Sequence, residues 1–225
     1  EVIAAKAKEL GSPAYKVVQD GAKVLGNNKD GIDFSLKDSY YGNASFHIPF
    51  IAWYQVMNAS LALTTMEVLK DRIPVTMEQL QAGIANTRWQ GRMETILPGV
   101  IVDGAHNEDG VRRFVETAER FQKEYPLTLL FSAVNDKDYQ DMIHTICSRI
   151  KFRKVVTTEV GGYREVPSAE LAEIFCKEGC KDIGNSDNIE EAFHMAHEAK
   201  GEDGMLFCVG SLYLVGEIKT LLLKK

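Results

Sequence analysis

The second half of the chain alternates short apolar runs with longer segments of helical periodicity. The apolar runs show little polar alternation, which is typical of parallel strands covered on both faces. They read GVIVDG, LTLLFSAV, KVVTTE, a weaker CKDIG, and GMLFCVG. The helical segments that follow them are predicted at 108–124, 138–150, 168–179, 188–200 and 211–223. With RMETI as a leading antiparallel edge strand, the pattern predicts an α/β fold with a doubly wound, mostly parallel six-stranded Rossmann-like sheet.

Residues 1–89 follow a different pattern. DFSL and SFHIPF are predicted as antiparallel strands within a stretch rich in Gly, Asn and Asp. A later helix at 76–86 opens with Thr76 and has Gln79 at capping-box spacing. Between them, YQVMNASLALTTMEVLK predicts a buried helix. Its predicted buried positions are Val56, Ala59, Leu61, Leu63 and Val68. The segment shows no evident core of its own, so we expect it to pack against a part of the protein outside this chain.

The opening EVIAAKAKELG has helical periodicity, but neither an initiator methionine nor a capping signal precedes it. We therefore expect the chain to begin inside a larger protein. Residues 1–89 are interpreted as one domain segment and residues 90–225 as a separate α/β domain.

Composition narrows the range of partners. The formal net charge of -6 and the pI near 5.5 disfavour nucleic acid and anionic membranes, which both require clustered Lys and Arg. The sequence contains no apolar run long enough to cross a bilayer and nothing resembling a signal peptide. We expect a cytoplasmic protein with no nucleic-acid or membrane partner.

The four cysteines are Cys147, Cys176, Cys180 and Cys208. Three lie in apolar stretches, which favours reduced core thiols over a disulfide framework. Their spacing lacks the paired CxxC pattern of a zinc site, so no metal ligand is predicted among them.

The loop after GVIV holds the richest candidate chemistry. Asp103 ends the predicted strand, His106 follows three residues later, and Asn107 is placed to cap the next helix. In a doubly wound sheet, ligands bind at the carboxyl ends of the strands, where this loop lies. An Asp at a strand end can equally bind its own backbone, and an Asn before a helix can serve only as a cap, so both interpretations stay open.

Three further clusters carry candidate chemistry. In RWQGRME, Trp89 is predicted as a packing anchor, Gly91 as a turn, and Arg92 as either a surface ion-pair partner or a phosphate ligand. NDKDY and VGSLYLVGE each follow a predicted strand. The sequence has no GxxxxGK[ST] loop and no GxGxxG fingerprint, so no motif for gripping the phosphates of ATP or a dinucleotide is present.

Taken together and in order, these clusters resemble one family. YQVMNASLAL, RWQGRMETI, VIVDGAHNEDGV, FSAVNDKD and CVGSLYLVGE are similar to the matching segments of folylpolyglutamate synthases, which belong to the Mur ligase superfamily. Mur cell-wall ligases usually carry a tyrosine where this sequence has Gly104, and they lack the glutamine found here at Gln55. Both residues favour the folate branch.

The resemblance implies an ATP-dependent ligase that adds L-glutamate to folates through an acyl phosphate. Many bacterial members also join dihydropteroate to the first glutamate. Residues 1–89 would be the end of the central ATPase domain and 90–225 the Mur-type carboxyl-terminal domain. The Walker loop and the ligands of Mg²⁺ would lie in an amino-terminal ATPase part of the same protein, so the chain alone is expected to be inactive.

The resemblance also implies roles for single residues. Asn58 would contact the adenine side of ATP, Arg92 the phosphates, and Asp103 the ribose hydroxyls, while His106 would face the reaction centre as the candidate catalytic residue.

Three alternatives stay open. They are a Mur-type peptide ligase, a non-catalytic α/β binding module, and a dinucleotide-dependent oxidoreductase, the last disfavoured by the missing glycine fingerprint.

Overall fold

A computed structural model describes residues 2–28, 30–37, 40–42, 44–162 and 164–223. The chain divides into two compact units, Glu1–Arg88 and Trp89–Lys225. Within the described ranges, no helix is both long enough and apolar enough to span a membrane.

The first unit combines a small antiparallel sheet with helices. Its three strands are β1 (Ala22–Asn28), β2 (Gly31–Leu36) and β3 (Ser45–Ile48), in that spatial order. Its helices are α1 (Val2–Glu9), α2 (Tyr54–Leu69) and α3 (Met77–Ala85). The predicted capping box of α3 is confirmed, because Thr76 Oγ1 accepts from the Gln79 amide at 3.2 Å and Gln79 Oε1 accepts from the Thr76 amide at 2.9 Å.

The first unit has a hydrophobic core of its own, contrary to the sequence prediction. Phe34 and Phe46 on the sheet pack with Val56 and Leu63 of α2, and all four are almost completely buried. Two predicted core positions of α2 are wrong, since Leu61 and Val68 are 56% and 41% exposed. The apolar face of α2 toward the sheet is therefore narrower than its composition suggests.

The second unit contains the predicted six-stranded sheet, in the order β4-β5-β9-β6-β7-β8. Only the β4–β5 pair is antiparallel, which confirms RMETI as an antiparallel edge strand. The strands are β4 (Glu94–Leu97), β5 (Val100–Val102), β6 (Leu127–Phe131), β7 (Phe152–Thr158), β8 (Ile183–Ser186) and β9 (Met205–Val209).

Helices cover both faces of this sheet. On one face, Val102 of β5 and Cys208 of β9 pack in a single cluster with residues of α7 and α8. On the other face, the ring of Phe207 lies 5.5 Å from that of Phe114 in α4, and Phe131 lies 5.3 Å from Phe175 in α6. The helices are α4 (Glu108–Phe121), α5 (Tyr139–Arg149), α6 (Ser168–Lys177), α7 (Ile189–Lys200) and α8 (Leu212–Leu223).

The cysteine prediction holds only in part. Cys208 is fully buried in the sheet, but Cys147 and Cys180 are half-buried and Cys176 is exposed. All four are free thiols. The apolar stretch around Cys176 belongs to a helix whose buried residues include its neighbour Phe175, and Cys176 lies outside that buried face.

Replacing Phe207 by Ala tests the central packing of the second unit. Phe207 is completely buried between two aromatic side chains, so we expect the free energy of unfolding to fall by about 3–5 kcal/mol. Urea denaturation followed by circular dichroism measures the loss. Leu223→Ala is the control, because that side chain is 87% exposed and its removal should change stability by less than about 0.5 kcal/mol.

Candidate active site at the carboxyl edge of the sheet

The parallel strands of the second unit deliver their following loops to one edge of the sheet. Residues 103–107 follow β5, residues 132–138 follow β6, residues 159–167 follow β7, and Gly210 and Ser211 follow β9. Because β9 lies between β5 and β6, the loops after these three strands are neighbours. This edge is the place where a doubly wound sheet forms its ligand crevice.

Asp103 is the buried centre of this edge, with only 3% of its surface exposed. Its Oδ2 accepts from the Met93 amide at 2.8 Å, and its Oδ1 accepts from the Ala105 amide at 2.8 Å. One carboxylate therefore ties the turn before β4 to the loop before α4. Asp103 thus serves as a turn residue, one of the two roles that its position at a strand end allowed.

The turn before β4 has an unusual backbone. Met93 is the one non-glycine residue in the described part of the chain with a positive φ, at 47°. Such a conformation is uncommon for a residue with a side chain, and here it aims the Met93 amide at Asp103. On the same turn, Glu94 accepts from the Gly91 amide at 2.7 Å and pairs with Lys219 of α8 at 2.7 Å.

Arg92 lies next to this buried carboxylate. Its positive charge and that of His106 act on Asp103 and lower the Asp103 pKa, although less strongly than burial raises it. No salt bridge to Arg92 occurs among the residues that the structure describes. Of the two roles considered for Arg92, the surface ion pair is therefore not observed, and its guanidinium stays available to an anion.

His106 is half-buried in the loop before α4. Its Nδ1 lies 2.7 Å from the Gly104 carbonyl oxygen. A carbonyl can only accept, so Nδ1 carries the proton and Nε2 is the atom that can accept a proton or bind an anion after protonation. Asn107 caps α4, as predicted, by accepting from the Gly110 amide at 2.9 Å.

Gly104 is closely packed. A Cβ added there would lie 2.2 Å from Leu212 Cδ2 and 3.3 Å from the Gly91 carbonyl oxygen. The Gly104 amide donates to that same carbonyl at 2.8 Å. The loop after β5 therefore contacts both the 91–93 turn and the start of α8, and glycine is the residue that fits between them.

Arg164 at this edge was not found from the sequence, although the clusters NDKDY and VGSLYLVGE, which contain its partners Asp136 and Tyr213, were singled out. Arg164 pairs with Asp136 at 3.2 Å and donates to the Tyr213 hydroxyl at 2.9 Å, so it joins the loops after β6 and β7 to the start of α8. The Asn135 amide also donates to the Arg164 carbonyl at 2.8 Å. The glycine pair ahead of Arg164 was the available sign of a shaped loop after β7, but it does not reveal which strands are neighbours.

The structure thus brings Arg92, Asp103 and His106 together within the second unit. Asn58 belongs to the first unit, where its Nδ2 donates to Gln55 Oε1 at 2.7 Å. Trp89 is 57% exposed, so its prediction as a packing anchor is wrong. In the described ranges, no three His, Cys, Asp or Glu side chains converge to hold a metal ion.

The buried carboxylate predicts a specific pH dependence. Burial is the largest influence and raises the pKa of Asp103 from 3.8 to about 6. Because the folded-state pKa lies above the unfolded value, the folded state binds the proton more tightly, and its stability falls as pH rises through this window. Relative to Asp103→Asn, the free energy of unfolding of the wild type should fall by about 3 kcal/mol between about pH 4 and pH 7.

Urea denaturation of both proteins across this pH range measures the difference. Glu108→Gln, at an exposed carboxylate near the same loop, is the control and should show no such trend. If the wild type instead became more stable relative to Asp103→Asn as pH rises, the backbone donors and Arg92 would outweigh burial in setting the pKa of Asp103.

Comparison with known proteins gives the family context. A family model described as the Mur ligase glutamate ligase domain matches residues 91–212, which is more than half of the chain. The dihydrofolate synthase/folylpolyglutamate synthase of Bacillus subtilis is 29% identical over 197 residues, covering 84% of this chain and 44% of the relative. The chain therefore spans less than half the length of that relative.

Solved structures share the fold. A Mycobacterium tuberculosis folylpolyglutamate synthase complexed with ADP and AMPPCP superimposes with a TM-score of 0.79 at 23% identity, over 98% of this chain and 52% of that one. A bifunctional folylpolyglutamate synthase/dihydrofolate synthase with Mn, AMPPNP and L-glutamate bound has a TM-score of 0.72 at 19% identity, over 98% and 50% of the two chains. Because this family model covers more than half of the chain, including Arg92, Asp103 and His106, the chain belongs to the Mur ligase family and carries its glutamate ligase domain.

Proposed function

We propose that the complete protein containing this chain is an ATP-dependent ligase that adds L-glutamate to folates. The observation that carries the proposal is the Arg92 guanidinium, which has no salt bridge among the described residues and lies close enough to the buried Asp103 to lower its pKa, as His106 also does. In this reaction the γ-phosphate of ATP passes to a folate carboxylate. The glutamate amine then attacks the acyl phosphate, and phosphate leaves.

Arg92 is proposed to bind the phosphates of the nucleotide. A guanidinium presents a planar fork of donors that matches phosphate oxygens, and here no carboxylate occupies that fork in the described chain. The relative complexed with ADP and AMPPCP supports a nucleotide as the ligand. The Met93 amide donates to Asp103, so the backbone immediately after Arg92 is held in place and fixes where the Arg92 side chain starts.

Asp103 is proposed to accept hydrogen bonds from the ribose hydroxyls. A carboxylate offers about four acceptor positions, and the Met93 and Ala105 amides occupy one on each oxygen. The remaining lone pairs are the ones that a diol could use. Asp103 would then combine a structural role with a binding role.

His106 is proposed to act near the transferred phosphate. Its Nδ1 donates to the Gly104 carbonyl oxygen, so Nε2 is the ring nitrogen that remains for anion binding or proton transfer. A protonated imidazole could bind phosphate oxygens, and a neutral one could accept a proton from the glutamate amine. Asn58 is proposed to contact the adenine, with Gln55 orienting its amide.

Gly104 supports a folate over a Mur-type substrate. Mur cell-wall ligases usually carry a tyrosine here, whereas this loop has no room even for a Cβ without displacement of Leu212. The glutamate-bound relative supports L-glutamate as the amino acid. Magnesium would help to neutralise phosphate charge, with its ligands in the amino-terminal ATPase part of the protein.

Arg92→Ala tests the phosphate contact. We expect the complete protein to bind ATP about 10- to 100-fold more weakly, because a charged hydrogen bond to phosphate contributes about 1.5–3 kcal/mol. Isothermal titration calorimetry with AMPPNP measures the change. Arg149→Ala is the control, because Arg149 pairs with Glu119 at the far end of α5. If Arg92→Ala left the ATP binding and ATP turnover of the complete protein unchanged, this domain would instead be a non-catalytic binding module within that protein.

Comparing ATP with 2′-deoxy-ATP tests the ribose contact. Wild-type protein should prefer ATP, and Asp103→Asn should reduce that preference severalfold if Asp103 accepts from the 2′-hydroxyl. Equal weakening of both nucleotides would mean that Asp103 only braces the loop. The measurement is the Michaelis constant for each nucleotide, determined for the wild type and for Asp103→Asn.

The substrate class is tested with the complete protein and radiolabelled L-glutamate. Incorporation should occur with a reduced folate or dihydropteroate and not with a UDP-muramyl acceptor. The opposite preference would identify a Mur-type peptide ligase. The 225-residue chain alone should not incorporate L-glutamate, because its sequence contains no loop that binds the β and γ phosphates of ATP.

A further inference from the structure

Two half-buried thiols meet on the second unit, away from the loops that form the candidate active site. Cys147 lies near the end of α5, and Cys180 lies in the connection between α6 and β8. Their sulfur atoms are 3.7 Å apart, although the residues are 33 positions apart in the sequence. A disulfide would shorten this separation to about 2.05 Å.

The end of α6 holds Cys180 in place. The Gly179 amide donates to the Cys176 carbonyl at 3.0 Å, and the Cys180 amide donates to the Phe175 carbonyl at 3.1 Å. With Gly179 at a φ of 93°, these two bonds form the Schellman motif that commonly ends a helix. The motif turns the chain back toward α5, so Cys180 reaches Cys147 from a fixed backbone position.

The two thiols also differ in acidity. The hydrogen bond from Cys147 lowers the pKa of Cys180, while burial and the Glu178 carboxylate oppose this effect. The pKa of Cys147 is raised, chiefly by the same hydrogen bond. Cys180 therefore ionises first and is the better attacking nucleophile of the pair.

The other two cysteines lack this arrangement. Cys208 is completely buried in β9, where a small oxidant cannot reach it. Cys176 is exposed, but its side chain makes no contact with another thiol in the described chain. Cys208 and Cys176 thus serve as internal controls for oxidation of the pair, one an inaccessible thiol and the other an exposed one.

We propose that Cys147 and Cys180 form an oxidative modification site, which a low-molecular-weight disulfide such as glutathione disulfide converts to an intramolecular disulfide. The Cys180 thiolate attacks one sulfur of the oxidant and releases one thiolate. Cys147 then attacks the Cys180 sulfur of the mixed disulfide and releases the second. The two protons lost by the cysteines go to the two released thiolates, so one disulfide is reduced as the other forms.

The new bond would link α5 to the end of α6. It would close a long loop, so we expect the oxidised chain to melt about 5–10 °C higher than the reduced chain. The 132–138 loop precedes α5 and Asp138 caps that helix, so the bond would also brace the element that carries this loop. The site rests on contacts within the second unit and does not depend on the proposed ligase activity.

Oxidation followed by peptide mapping tests the site. The reduced chain is equilibrated with glutathione disulfide, its remaining thiols are alkylated, and it is digested with trypsin. The sequence places Cys147, Cys176 and Cys180 in separate tryptic peptides, 138–149, 165–177 and 178–181, so the linkage is read directly. We expect peptides 138–149 and 178–181 to be joined, with Cys208 alkylated only after unfolding.

Single variants separate this pairing from its alternatives. Cys176→Ser should form the same disulfide, whereas Cys147→Ser should leave Cys180 as a mixed disulfide with glutathione and should lose the rise in melting temperature. Matching circular dichroism and melting of the reduced variants would show that they fold. Glutathionylation of Cys176 alone, or a Cys176–Cys180 bond in the wild type, would overturn the proposal.

Discussion

The arrangement of the candidate site depends on one buried carboxylate. Asp103 ends a strand whose neighbours are apolar, and its burial disfavours the charged form. Two backbone amides from different segments offset part of that cost. One of these amides belongs to the 91–93 turn and the other to the 103–107 loop. By accepting from both, the Asp103 carboxylate fixes the distance between the turn and the loop. Arg92 and His106 flank it as a consequence.

The sheet topology explains why other segments join this edge. β9 is the last strand in the sequence but pairs between β5 and β6. Its following residues, Gly210 and Ser211, thereby lie beside the loops of much earlier strands. At Gly210 a Cβ would meet the Ser132 carbonyl oxygen at 2.1 Å, so the close approach of the β6 and β9 loops requires glycine.

The interactions around Arg164 extend this edge to the loop after β7. Its pairing with Asp136 and its hydrogen bond to Tyr213 connect three elements that are far apart in sequence. The edge therefore holds several charged side chains in fixed positions before any ligand arrives. Such preorganisation is what the phosphoryl-transfer site proposed above would require, since positioning and charge stabilisation dominate that chemistry.

The sequence by itself determined the local features. The apolar runs identified the strands of the second unit, and Thr76 and Asn107 marked two helix starts, because a cap depends on residues only a few positions apart. It also placed Asp103 and His106 on the loop that follows a strand, and Arg92 at the start of the predicted edge strand RMETI. Tertiary structure alone decided the exposure of Leu61, Val68 and Trp89, the separate core of the first unit, and the meetings of Arg164 with Tyr213 and of Cys147 with Cys180. Those outcomes depend on which distant segments become neighbours, and strand order is not encoded in the period of any single segment.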